Sequence, residues 1–408
     1  PWLVLAMASG FAEDGRFDMA VGFGRIVFPY ILFISLAALL SGVLNATGRF
    51  VAAAAAPVLL NIILVTAMLG APYMGWDFGM ALAWAVPVAG VAQLALVWWA
   101  AARAGFPLIP RRPVWTPELK RLARIAAPAA LAGGVVQVNL LVGRQVASFF
   151  DGAIQYLNLA DRLYQLPLGV VAIAIGVVLL PDLSRRLAAN DTAGGRDALN
   201  RAAEFALLLT LPAAVALIVA ADPLVSVLYQ RGRFDAAAAA QTAQACAVYG
   251  LGLPAFVLQK VLQPLYFARA DTRRPFYYAL ASMVVNAGVA IGLAPSIGFI
   301  AAAWGTTLAA WGMVALLWWG SRTLGEAAEP DARLTRRIWR IAVASAVMGG
   351  VLWLYAAVFA DALRTDGLRY LALLGLVGLG IVTYFGSAQL LGGFRLSELR
   401  GAMRRKRG

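Results

Sequence analysis

Residues 158–185 read NLADRLYQLPLGVVAIAIGVVLLPDLSR. From Leu163 to Leu180 the stretch carries no charge. As an α-helix rising 1.5 Å per residue, it crosses most of a bilayer core about 30 Å thick. Ahead of that run, inside the same candidate span of about 154–180, stand Asp161 and Arg162. A cation at the centre of a bilayer costs roughly 2.5 to 3.5 kcal/mol on insertion scales, so a membrane protein that keeps one ordinarily gives it an anion to meet.

The rest of the chain repeats the apolar pattern. Of its 408 residues 62% are hydrophobic and 13% charged, and the mean hydropathy is +0.78. Further apolar runs fall at about 26–47, 54–71, 79–102, 125–150, 202–221, 236–267, 276–294, 298–320, 338–360 and 368–391. Together they predict an all-α polytopic membrane protein with eleven complete transmembrane helices, preceded by PWLVLAMASGFAED, which reads as the end of a cut one. The runs are continuous and rich in Ala, Leu and Gly, without the period-two alternation of a membrane β-barrel.

Basic residues give the orientation. Taking the loops alternately, 25 of the 34 Lys and Arg residues fall on one side, including the tail from Arg395 to Arg407, and six fall on the other. The positive-inside rule makes the rich side cytoplasmic, with the C-terminus inside. That distribution also explains the net charge of +14 without nucleic acid, because the cations sit in short loops rather than on a soluble basic face. The tail contacts anionic lipid headgroups in this reading.

Catalytic chemistries close by absence. The chain has no His and one Cys, Cys246, so imidazole acid–base chemistry, Cys/His metal sites and internal disulfides are not on offer. No nucleotide-binding fingerprint occurs. The expectation is a protein that is not an enzyme and carries no cofactor.

Three cations lie inside apolar runs, Arg144, Arg162 and Lys260, and Asp161 is the carboxylate clearly inside one. Arg162 is about nine residues, or roughly 13 Å, from the outer end of its span, too deep to snorkel comfortably. Neighbours on a helix point about 100° apart, so Asp161 cannot pair face to face with Arg162. Arg144, placed at similar depth on the preceding span, is its expected partner in a structural bridge; direct ligand contact is the competing role. Lys260 lies near the cytoplasmic end of its span, where surface snorkelling and substrate contact weigh equally. Prolines stud the spans, and GLGLP at residues 250–254 reads as a hinge.

The chain is also internally repeated. GRFD occurs at residues 15–18 and 232–235; Arg49 precedes Asn61 by 12 residues, as Arg274 precedes Asn286; Trp84 and Trp304 follow. Both copies enter from the same face, which makes a parallel repeat. Three spans precede the second copy and only residues 1–14 the first, so roughly three further spans are expected before residue 1 in the natural protein.

Three stretches carry a resemblance: GRIVFPYILFISLAALLSGVLNATGRF at 24–50, the opening stretch at 158–185, and VLQKVLQPLYFARADTRRPF at 257–276. They resemble the MurJ (MviN) lipid II flippases of bacterial inner membranes, within the MOP superfamily, from residue 1 to about 395. The resemblance implies a MATE/MOP-like two-lobe bundle of fourteen helices, N-terminally truncated here. It implies residues 1–110 as the remainder of the N-terminal lobe, 111–325 as a six-helix C-terminal lobe, and 326–408 as two extra helices bordering a lipid-tail groove, with a basic tail. It also implies flipping of lipid II by alternating access, with Arg162 and Asp161 matching the family's intramembrane Asp-Arg pair. The expected partners are lipid II, membrane lipids and cell-wall synthesis proteins; Arg162, Asp161, Arg144 and Lys260 are the candidate substrate-binding residues. Two other readings stand beside it: a related polysaccharide-lipid flippase or multidrug exporter, and a membrane scaffold that transports nothing. A cavity for organic cations should be acidic, and this one is basic.

Overall fold

The computed structural model describes residues 1–12, 15–106, 137, 140–189, 191–269 and 271–393, with positions 115–117, 119–121 and 124. The terminal cationic run and most of the expected span 125–150 lie outside these residues. The chain divides into two compact units, residues 1–128 and 129–408.

The first unit holds α1 (Trp2–Ala8), α2 (Arg16–Val27), α3 (Tyr30–Ala46), α4 (Val51–Met74) and α5 (Phe78–Arg103). Pro29, lacking an N–H, stands at the break between α2 and α3. Gly75 takes the left-handed conformation that closes α4. Asp77 then caps α5, its carboxylate accepting from the Met80 N–H at 3.0 Å. One buried side chain ties three helices together: Gln93 of α5 donates to the Ala56 carbonyl of α4 at 2.8 Å and accepts from the Tyr30 hydroxyl of α3 at 3.2 Å.

The second unit starts with a helical stretch, α6, residues 140–147. There follow α7 (Ala153–Ala188), α8 (Thr192–Val219), α9 (Ala221–Tyr229), α10 (Ala236–Phe267), α11 (Arg273–Ile297), α12 (Ile300–Ser321), α13 (Ala332–Val358), α14 (Ala360–Arg364) and α15 (Leu368–Leu390). Aspartates cap three of them: Asp191 for α8, Asp235 for α10 and Asp331 for α13. Helix α10 is the centre, packed on α7, α8 and α12. Lipid tails are as apolar as leucine, so close van der Waals approach and interhelical hydrogen bonds, rather than water release, hold such helices together. Small residues and polar side chains supply both: the Thr307 hydroxyl donates to the Val248 carbonyl at 2.9 Å and the Trp311 indole to Leu251 at 3.0 Å. The GLGLP segment is uninterrupted helix. A Cβ on Gly250 would sit 3.1 Å from the Leu217 Cβ, so that glycine serves the approach of α10 to α8.

Nine stretches among the described residues are long and apolar enough to span a membrane, the first joining α2 and α3 and two others joining α12 and α13 to short neighbouring turns. Each matches an expected span; the expected 154–180 span lies within α7. Each copy of the repeat comprises the same succession, a first span (α2–α3 or α10), a second carrying the asparagine (α4 or α11) and a third carrying the tryptophan (α5 or α12).

Candidate functional site

Asp161 and Arg162 lie on α7 eight and nine residues from Ala153, about 12 and 13 Å into the helix. Helix α7 begins at a tight turn made by Gly152, whose φ of 71° any side chain would strain. Successive i, i+3 and i+4 positions put Asn158, Asp161 and Gln165 on neighbouring parts of one face, and the Gln165 amide donates to the Asp161 carboxylate. Arg162 points to an exposed strip that continues through Leu166 and Val170, 70% and 69% exposed.

Four helices of the second unit converge on a cavity of about 110 Å³. Arg144 of α6, Asn158, Asp161 and Tyr164 of α7, Tyr249 of α10 and Thr306 of α12 all line it. Aromatic packing fixes its inner wall: the Tyr164 ring lies 5.1 Å from that of Tyr249 and stacks at 5.2 Å on Phe256. The cavity joins a carboxylate, a guanidinium, an amide and hydroxyls; Asn158 and Thr306 donate to the Ile154 and Ala302 carbonyls of their own helices, so the Arg144 guanidinium is the charged donor that can meet an anion there.

The expected Arg144–Asp161 bridge is not formed. Both side chains line one cavity, but Arg144 stands three residues from the end of its helical stretch, about 5 Å, against the 12 Å of Asp161. The carboxylate is instead held by Gln165 and by the Tyr164 hydroxyl, both on its own helix. Among the described residues, no carboxylate pairs with Arg144, Arg162 or Lys260. Lys260 is exposed on α10, seven residues from its other end, and is not part of this cavity.

A second charged centre was missed by the sequence reading, which singled out Asp161 among the carboxylates. Glu204 is 7% exposed, and three guanidinium groups converge on it: Arg201 from its own helix, and Arg333 and Arg337 from α13, with Arg333 Nε at 3.3 Å. Arg201 also pairs with Asp331, and Asn200 accepts from the Asp331 N–H at 3.0 Å. The available signal was the pattern of Arg333, Arg336, Arg337 and Arg340 along one helix without an acid of its own. Asn158, Tyr249 and Thr306 also escaped notice, although Asn158 stands one turn from Asp161.

The family model described as lipid II flippase MurJ matches residues 1–368. A probable lipid II flippase MurJ of Rhizobium meliloti (strain 1021) is 42% identical over 98% of this chain and 76% of its own length. One from Rhizobium tropici is 41% identical over 100% of this chain and 77% of its own. A solved lipid II flippase MurJ in an inward closed conformation superposes with a TM-score of 0.76, at 23% identity, over 94% of this chain and 77% of that one. That likeness concerns the fold.

Proposed function

Because this chain belongs to the MurJ lipid II flippase family, we propose that it moves lipid II from the cytoplasmic to the outer leaflet by alternating access, as a transporter rather than a catalyst. The observation that carries the residue-level reading is Arg162: a cation about 13 Å inside a spanning helix, exposed, without a carboxylate partner among the described residues. Exposed to hydrocarbon it would be costly; beside a water-filled path it meets the substrate pyrophosphate.

Arginine suits the task. Its planar fork donates two parallel hydrogen bonds to phosphate oxygens and stays charged at any cellular pH. In this reading Arg162 makes the main contact and Arg144 approaches the same headgroup from α6. Asp161, held by Gln165, keeps the local charge from trapping the anion. Lys260 attracts the headgroup nearer the cytoplasmic end of α10. Residues 1–110 and 111–325 act as the two lobes, and 326–408 as an accessory pair that shelters the polyprenyl tail; cell-wall synthesis proteins take the delivered lipid. Native mass spectrometry tests the binding step: the protein should retain lipid II, and Arg162→Ala should lose it while keeping phosphatidylglycerol adducts. Retention of lipid II by that variant would remove Arg162 from the binding site.

The charge split supports a cytoplasmic C-terminus in a bacterial inner membrane. Single cysteines at the exposed positions Thr192 and Glu326 should be shielded from impermeant thiol reagents in intact cells, and one at Thr365 labelled. The native Cys246 is buried and silent. The reverse labelling pattern would invert the orientation.

A further inference from the structure

Helices α8 and α13 both run away from the Glu204 cluster, and at their far end the second unit opens a cavity of about 550 Å³. Asp222 and Ser226 of α9, Gln230 after it, Arg364 at the end of α14 and Arg369 in the first turn of α15 supply its polar lining. The volume is that of a small-molecule site.

The charges in this cavity are held apart. Arg369 is 18% exposed; its Nη1 donates to the Gln230 carbonyl at 3.3 Å and lies 3.2 Å from an Asp366 carboxylate that is 91% exposed, a weak pair in water. Its Nη2 reaches the Tyr370 hydroxyl at 3.3 Å, while its Nε is buried with no acceptor among the described residues. Arg364 and Asp222 line the same cavity, are exposed, and form no ion pair among the described residues. An apolar groove of about 250 Å³ lies alongside: Ala220 and Leu224, which flank Asp222 in sequence, line it with Leu352 of α13 and Leu376 and Tyr384 of α15.

We propose that this cavity and groove hold a phospholipid whose headgroup carries a primary amine, with its phosphate on Arg364 and Arg369, its ammonium on Asp222 and an acyl chain in the groove. The phosphate draws on the guanidinium groups of Arg364 and Arg369 that line the cavity, neither of which has a buried carboxylate partner among the described residues. The amine answers the free carboxylate. A primary ammonium donates up to three hydrogen bonds and a quaternary one none, so the carboxylate selects ethanolamine over choline headgroups. This goes beyond the transport reading, since the headgroup cavity shares no lining residue with the cavity of Arg144 and Asp161.

The test is native mass spectrometry of the full 408-residue chain in detergent with equal amounts of palmitoyl-oleoyl phosphatidylethanolamine, phosphatidylglycerol and phosphatidylcholine. Phosphatidylethanolamine adducts should exceed each of the others about tenfold, the worth of one charge-assisted hydrogen bond. Arg369→Gln should lower those adducts about tenfold. Asp222→Asn, at an exposed position that leaves folding intact, should bring phosphatidylethanolamine to the phosphatidylglycerol level without changing the latter. Arg322→Gln, removing a surface arginine that stacks on Trp318, should change nothing. Equal adducts for the three lipids, or no response to Arg369→Gln and Asp222→Asn, would overturn the proposal. Soluble phosphoethanolamine should not compete at the lipid concentration; equal competition would show a headgroup site with no role for the groove and would overturn the lipid assignment.

Discussion

Helix α10 and the α2–α3 pair occupy the same place in the internal repeat, yet 61% of the most apolar stretch of α10 is buried against 11% of that of α2–α3. The middle helices differ little, 11% for α11 and 6% for α4. In the second unit α10 has α7 and α8 on one side and α12 on the other; in the first, α3 packs chiefly on α5. One repeated pattern therefore dictates the order and length of helices in both places, while burial depends on what is packed around them. Side-chain volumes follow. Asn286 of α11 is 1% exposed and presses on Gly305 of α12, whereas its counterpart Asn61 is exposed and the position matching Gly305 is Ala85.

The largest expected effect probes the buried charged cluster, which has no counterpart among the described residues of the first unit. Glu204→Gln leaves Arg201, Arg333 and Arg337 crowded around a neutral amide, and removing one partner of a buried charge cluster costs about 3 to 5 kcal/mol. The thermal midpoint in detergent should fall steeply and the detachment of α13 from α8 should appear as new protease cleavage. A midpoint within a degree or two of wild type would mean the cluster is solvated and the two C-terminal helices are held otherwise.

Next comes the glycine that separates the two copies. A Cβ at Gly305 would lie 2.8 Å from the Asn286 backbone oxygen, so Gly305→Ala must push α11 from α12 and should cost about 1 to 3 kcal/mol. Gly70→Ala in α4, where a Cβ meets nothing within 4 Å, should be neutral or stabilising by up to about 1 kcal/mol through helix propensity. Equal effects at both sites would erase the contrast in packing.

A smaller effect is expected where the first unit relies on a neutral hydrogen bond. Gln93→Leu removes the donor to the Ala56 carbonyl and should lower stability by about 1 kcal/mol, well short of Glu204→Gln. A larger loss at Gln93 would reverse the ranking of the two units.

Much of this was legible in the sequence, for physical reasons. Spans are set by apolar length, and each of the nine spanning stretches among the described residues falls on an expected run. Arg162 and Asp161 stood out because charge inside an apolar run is costly. Their surroundings did not. The Gln165 contact, four residues from Asp161 on one helix, was open to local spacing. The placement of Arg144 across the Gly152 turn was not, and the meeting of Glu204 with Arg333 and Arg337 spans about 130 residues of chain, of which local pattern carries no record.

Transport by the full-length protein in cells depleted of their own lipid II flippase tests the central claim, with Arg162→Lys set beside Arg162→Ala at matched membrane levels. Lysine keeps the charge and loses the fork. If Arg162 reads pyrophosphate bidentately, both variants should abolish flipping, and adding Asp161→Ala to Arg162→Ala should not restore it. Flipping by the lysine variant, or rescue by the double change, would contradict the account and make Arg162 a neutralising partner of Asp161.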